Sequence, residues 1–147
     1  MKRIFALLAA SATLLVSCLT ACADDRPIAP EKLPAAAKTF IQNTFPGQTI
    51  TYATKDVDFM KTTYDVYLSS GVKVKFTGKG EWDKVDAQYQ PVPAAIVPKP
   101  IADYVAASFP GAFIVKIDKE PYGFEIELNN DMELKFNPAG QLMYIDD

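Results

Sequence analysis

The sequence predicts an α+β fold in which two tandem helix-plus-four-strand repeats form one antiparallel sheet, with both helices packed on one face. Three observations predict it. Phe45-Pro46-Gly47 recurs sixty-four residues later as Phe109-Pro110-Gly111. Apolar residues before each tripeptide keep a helical spacing, and those after it alternate with polar ones. Past a loop that is four residues shorter in the second copy, the match continues at an offset of sixty. A period of this length marks a duplicated supersecondary unit.

Each copy opens on an amphipathic helix. Leu33, Ala37, Phe40, Ile41 and Phe45 fall at i, i+4, i+7, i+8 and i+12, and Val97, Ile101, Tyr104, Val105 and Phe109 repeat that spacing. Pro34 and Pro98 suit a first helical turn, where a missing N–H costs nothing. Pro46-Gly47 and Pro110-Gly111 stop the helix, because proline cannot continue it and glycine accepts the left-handed turn that follows. A less regular strand is expected next, over about 48–55 and 112–118. Tyr64, Val66 and Leu68 then alternate with Asp65, Tyr67 and Ser69; Ser70-Gly71 turns the chain; Val72, Val74 and Phe76 alternate with Lys73, Lys75 and Thr77. Phe124 to Leu128 and Met132 to Phe136 match these strands. Gly78-Lys79-Gly80 and Asn137-Pro138-Ala139-Gly140 turn into the last strands, Glu81 to Asp86 and Gln141 to Asp146. One-sided strands need a cover, and the two helices supply it.

The chain begins with an export signal. Met1-Lys2-Arg3 precedes an apolar run from Ile4 to Val16 that is too short to span a bilayer. Leu15-Val16-Ser17-Cys18 and Leu19-Thr20-Ala21-Cys22 both read as lipoboxes, whereas Ala21-Cys22-Ala23 fits ordinary cleavage. Residues 1–23 are thus a signal peptide and residues 24–147 a single domain of two repeats, about 28–88 and 92–147. Cutting after Ala23 removes both cysteines; cutting before Cys22 leaves it lipidated and the domain tethered. Cutting before Cys18 strands a spare thiol in an oxidising compartment. The expected location is periplasmic or envelope-associated, with no transmembrane helix in the mature chain.

Residues 24–88 carry nine Lys/Arg and nine Asp/Glu, and residues 89–147 carry four and nine. An acidic chain without a basic stripe does not suit nucleic acid, which needs clustered cations for its phosphates.

These residues resemble the PepSY-like family with the beta-lactamase-inhibitor-like fold. The resemblance rests on Leu33-Pro34 and Val97-Pro98, the two Phe-Pro-Gly stops, Gly80-Glu81-Trp82 with Val85-Asp86, the run Val92 to Pro98, and the Asp146-Asp147 end. It implies exported envelope proteins with tandem repeats and one continuous antiparallel sheet. A named relative of that fold binds an enzyme through its sheet face, but a shared fold does not carry function with it.

The chain contains no histidine, which excludes Ser-His-Asp and Cys-His catalysis and His-ligated zinc. Gly78-Lys79-Gly80 is a hairpin turn, not a phosphate loop. Asp56-Val57-Asp58 and Asn129-Asn130-Asp131 sit at loops without calcium-loop spacing. The reading is a non-enzymatic module without cofactor or metal. Alternation places Tyr67, Lys73, Lys75, Trp82 and Lys84 on the open sheet face, with Glu125, Glu127, Glu133, Lys135, Leu142 and Tyr144 as their second-copy counterparts. Tyr67, Lys73, Lys75, Trp82, Lys84 and Tyr144 are the candidate contact residues, and a protein or peptide of the cell envelope is the expected partner. The alternative is a small-ligand carrier or sensor that holds an apolar compound between helices and sheet.

Overall fold

The computed structural model describes residues 25–146. The signal peptide expected at 1–23, with Cys18 and Cys22, lies outside the described residues. Nine strands form one sheet in sequence order, every neighbour antiparallel. The first half is β1 (Arg26–Pro27), α1 (Ala35–Thr44), β2 (Ile50–Asp58), β3 (Lys61–Leu68), β4 (Lys73–Thr77) and β5 (Trp82–Asp86). The second is α2 (Lys99–Ser108), β6 (Ile114–Glu120), β7 (Gly123–Leu128), β8 (Glu133–Phe136) and β9 (Leu142–Asp146). Each half is one helix followed by a four-stranded meander, as the sequence pattern requires. Two details differ. The irregular strands run to Asp58 and Glu120, past the expected ends, and β1 carries no sequence signal because two residues are too few for a period. Pro34 and Pro98 stand at the N-cap, one residue ahead of each helix.

Why both helices settle on one face follows from the strand registers. Ala53, Val66, Val74, Val85, Ile117, Ile126 and Leu134 stand opposite one another across seven strands, all on the helix side and all buried. Burying each Val, Ile or Leu side chain of this row is worth about 1.5–3 kcal/mol against leaving it in water. Ala37 and Ile41 of α1 and Ile101 and Val105 of α2 close over it. The two halves become one sheet through β5 and β6, with Lys84 opposite Asp118, Val85 opposite Ile117 and Asp86 opposite Lys116.

The helix starts are positioned by glycine. Gly80 has φ +85, and a Cβ added there would lie 2.7 Å from Pro34 Cβ and 3.0 Å from Ala37 N. Gly140, at φ +78, would meet Pro100 Cβ at 2.8 Å. Each turn before a last strand therefore sits directly under a helix N-terminus, an approach that only glycine permits.

Candidate functional site

With the helices on one side, the other face of the sheet is uncovered, and its side chains fall into two rows. The first runs Asp65, Lys75, Lys84, Asp118, Glu125, Lys135, Tyr144 from β3 to β9. The second runs Tyr52, Tyr67, Lys73, Asp86, Lys116, Glu127, Glu133, Asp146 from β2 to β9. Tyr67, Lys73, Lys75, Lys84 and Tyr144 stand on this face as expected. Trp82 does not.

The reason is a bulge. Lys75 pairs with Lys84, but Phe76 pairs with Trp82, so Asp83 is an extra residue in β5 and the alternation slips by one. A one-residue slip moves a side chain to the other face. The Trp82 ring consequently stacks on Phe40 of α1, with centroids 6.1 Å apart and planes at 27°, while Phe40 meets Phe76 edge-on at 5.7 Å. The same bulge pairs Phe136 with Leu142, so Leu142 also packs on the helix side instead of standing on the open face. Sequence held a signal for this: Trp82 and Val85 are three residues apart, as are Leu142 and Ile145, a spacing a regular strand cannot place on one face. Lys119 lies on the helix side too, with Nζ 3.7 Å from the Trp82 ring centroid. Burial pulls its ammonium below the ordinary lysine range, with Glu81 and Asp83 opposing. A hollow of about 450 Å³ lined by Phe40, Trp82, Asp83 and Lys119 marks this spot.

The open face is laced by ion pairs, unevenly. From β5 onward the lattice closes on itself: Lys84 to Asp118 at 2.9 Å, Lys116 to Glu127 at 2.7 Å, Lys135 to Glu125 at 3.2 Å and to Glu133 at 3.4 Å. Tyr122 Oη donates to Glu125 at 2.8 Å. Burial, together with that carboxylate, pushes the Tyr122 phenol up to about 12. Burial raises Glu125, but the bonds from Tyr122 and Lys135 outweigh it and hold the carboxyl below its usual range. The hydrogen bond to Glu127 raises Lys116.

The first-half end is left open. Lys73 pairs with one oxygen of Asp65 at 2.9 Å and lies 5.2 Å from the Tyr67 ring centroid. Asp65 Oδ1 is buried without a hydrogen-bond partner. Lys75, beside Asp65 in register, makes no ion pair among the described residues. Tyr52 packs on Tyr67 at 5.7 Å and is 48% exposed. Tyr52 and Asp65 complete the patch and were missing from the sequence reading; Tyr52 sits next to a bulge between Ile50 and Tyr52 that obscures its parity. Among the described residues no three Asp, Glu, His or Cys side chains gather to hold a metal ion.

An uncovered antiparallel sheet backed by two helices defines the class, and the comparisons place the chain within it. Residues 62–144 match the model of the family described as "Putative beta-lactamase-inhibitor-like, PepSY-like". A protein described as a putative periplasmic protein of the DUF2874 family from Bacteroides vulgatus is 36% identical, with a TM-score of 0.81 over 86% of this chain and 99% of that one. A protein from Bacteroides thetaiotaomicron, described as a putative calcium-regulated periplasmic protein, is also 36% identical, with a TM-score of 0.81 over 84% and 98%. A third structure, of a protein from Bacteroides vulgatus described as a putative periplasmic protein of unknown function, is 34% identical, with a TM-score of 0.77 over 80% and 94%. The chain belongs to the PepSY-like family. No curated protein matches it.

Proposed function

We propose that this protein is an exported, non-catalytic binding module of the periplasm that engages an envelope protein or peptide with the first-half end of its open sheet face. One observation carries the reading: beside the packed Tyr52 and Tyr67, Asp65 Oδ1 is buried without a hydrogen-bond partner and Lys75 makes no ion pair among the described residues, whereas Lys84, Lys116 and Lys135 on the same face each meet a carboxylate. Two tyrosines packed side by side, their planes tilted at 46°, offer large apolar area with polar tips, the composition that dominates contact energetics. Lys75 calls for an acceptor on the partner, which the carbonyls of a peptide main chain or the carboxylates of a mixed polar surface supply. The periplasmic relatives support the compartment.

The test is capture from envelope extract by the wild type and by the double variant Tyr67→Ala, Lys75→Ala. A partner retained by the wild type and lost from the variant is expected. An identical captured set would remove the reason for naming this face. The small-ligand alternative has less to stand on, because the apolar space under α1 is filled by Phe40, Phe76 and Trp82 and its hollow holds the Lys119 ammonium.

A further inference from the structure

At one end of the sheet the two copies build the same corner from different residues. In the first copy the start of β2 meets the β3–β4 turn through small side chains. Ser69 N donates to Thr49 O at 2.9 Å, Thr49 N donates to Ser69 Oγ at 3.2 Å, and Gly71 takes the left-handed corner at φ +89. The second copy keeps that hydrogen-bond pattern. Asn129 N donates to Phe113 O at 3.0 Å, Phe113 N donates to Asn129 Oδ1 at 2.9 Å, and Asp131 takes the corner at φ +66. An aromatic ring thus stands where the first copy has Thr49, and a carboxylate where it has Gly71. The backbone requires neither, since the first copy makes the same turn without them and glycine suits the corner better.

The linker between the copies adds a second ring to this end. It leaves β5 at Asp86, whose Oδ1 accepts from Gln88 N at 2.9 Å, and it is tied to β6 by Ala87 N to Val115 O and Val92 N to Ile114 O, both 2.8 Å. Between those ties Tyr89 is 90% exposed. Tyr89, Phe113, Asp86, Glu127 and Asp131 line one cavity of about 610 Å³ around Lys116, a volume that suits a small molecule. Its charges do not balance. Three carboxylates face one ammonium, and Glu127 already holds that ammonium at 2.7 Å. Lys73, opposite Asp86 in register, is turned to Asp65. Asp86 and Asp131 make no ion pair among the described residues. Lys116 is held above the ordinary lysine range, first by its bond to Glu127, against burial, and further by the charges of Asp86 and Glu133.

Two exposed rings beside unpaired carboxylates are the chemistry that receives an organic cation. The ring faces attract the positive charge and the carboxylates neutralise it, while the ligand's apolar body packs on the rings. A bare metal ion needs a shell of several oxygen ligands, and among the described residues no three acidic side chains gather to supply one. An anion is repelled, and a neutral sugar leaves the surplus charge unmet. We infer that the cavity lined by Tyr89, Phe113, Asp86 and Asp131 binds a small organic cation, a primary or quaternary ammonium compound with an apolar body. This site stands apart from Tyr52 and Tyr67 and does not depend on the partner proposed for them.

The experiment expresses the full chain with its export signal, isotopically labelled and purified as the cell processes it, and follows its backbone amides during titration with benzyltrimethylammonium at low salt. The amides of Gln88, Tyr89, Asn129 and Asp131 should shift together and saturate, while those of Thr49 and Gly71 at the first-copy corner stay still. Benzyl alcohol, the same ring without the charge, should bind about tenfold more weakly. Asp131→Gly restores the first-copy residue, so the melting temperature should hold or rise while affinity falls about threefold. Tyr89→Ala should leave the melting temperature unchanged and weaken binding about fivefold. Equal binding of benzyl alcohol reduces the site to an apolar hollow and overturns the cation. A saturable response of the same amides to calcium chloride or N-acetylglucosamine, without one to the ammonium, assigns the cavity to a metal or a sugar and overturns it likewise. Shifts that fail to saturate, that saturate at other residues, or that persist undiminished in both variants overturn the site itself.

Discussion

β5 and β9 are the same strand used twice, and they meet different fates. Val85 and Ile145 occupy equivalent places, opposite Val74 and Leu134 on the helix side. Val85 is 0% exposed because β6 adds Ile117 beyond it, whereas Ile145 is 38% exposed because among the described residues no strand pairs with the outer edge of β9. Trp82 and Leu142 show the same contrast at the bulge: in the middle of the sheet the position holds a large ring under α1 with Lys119 over it, and at the edge an aliphatic side chain. A duplicated unit thus has a junction that must be finished and an edge that need not be.

The largest expected effect breaks the shared part of the design. Gly80→Ala should destabilise the fold by about 2–4 kcal/mol, combining a forced left-handed conformation with overpacking against Pro34 and Ala37. Gly47→Ala, with φ +79 but nothing within 4 Å, should cost only about 1 kcal/mol. Urea denaturation of the two variants separates crowding from conformation. Next comes the junction itself: Val85→Ala should cost about 2 kcal/mol and Ile145→Ala less than about 1 kcal/mol, by the same measurement. Equal losses would mean that β9 is covered in solution.

Smaller effects sharpen the picture. Trp82 is the only tryptophan, so its fluorescence reports the helix-side position directly. Emission should be blue-shifted from that of free indole, and Lys119→Met should alter it at a cost of under about 1 kcal/mol in stability. Fully water-like emission would return Trp82 to the open face. Least of all is the lattice of the second half. Glu125 is held below the usual carboxylate range, so its contribution is complete at neutral pH and disappears as pH falls through its depressed value. The stability difference between wild type and Glu125→Gln should therefore shrink on acidification, and a difference that grows would contradict the assignment.

Much of this was legible in the residues. Period-two alternation, the Phe-Pro-Gly stops and the glycine turns specify the helices, strands and faces, since each reports a local geometric need. The bulges were harder, because an extra residue in one strand is defined by its partner's register, and Trp82 changed sides on that account. The patch formed by Tyr52, Tyr67, Asp65 and Lys75 depends on which charges find partners across the sheet, a tertiary property with no sequence period. The exposed tip of the β2–β3 hairpin was hidden for the opposite reason: Val57, Phe59 and Met60 look like ordinary core residues until the hairpin leaves them outside.

The reading of the open face is tested most directly in the cell, by a photo-crosslinking amino acid placed at Tyr67 and, in a separate variant, at the exposed helix position Ala102. Irradiation should give a discrete higher-mass adduct from position 67 and none from position 102. No adduct at 67, or equal adducts at both, would contradict a partner bound on the first-half end of the sheet.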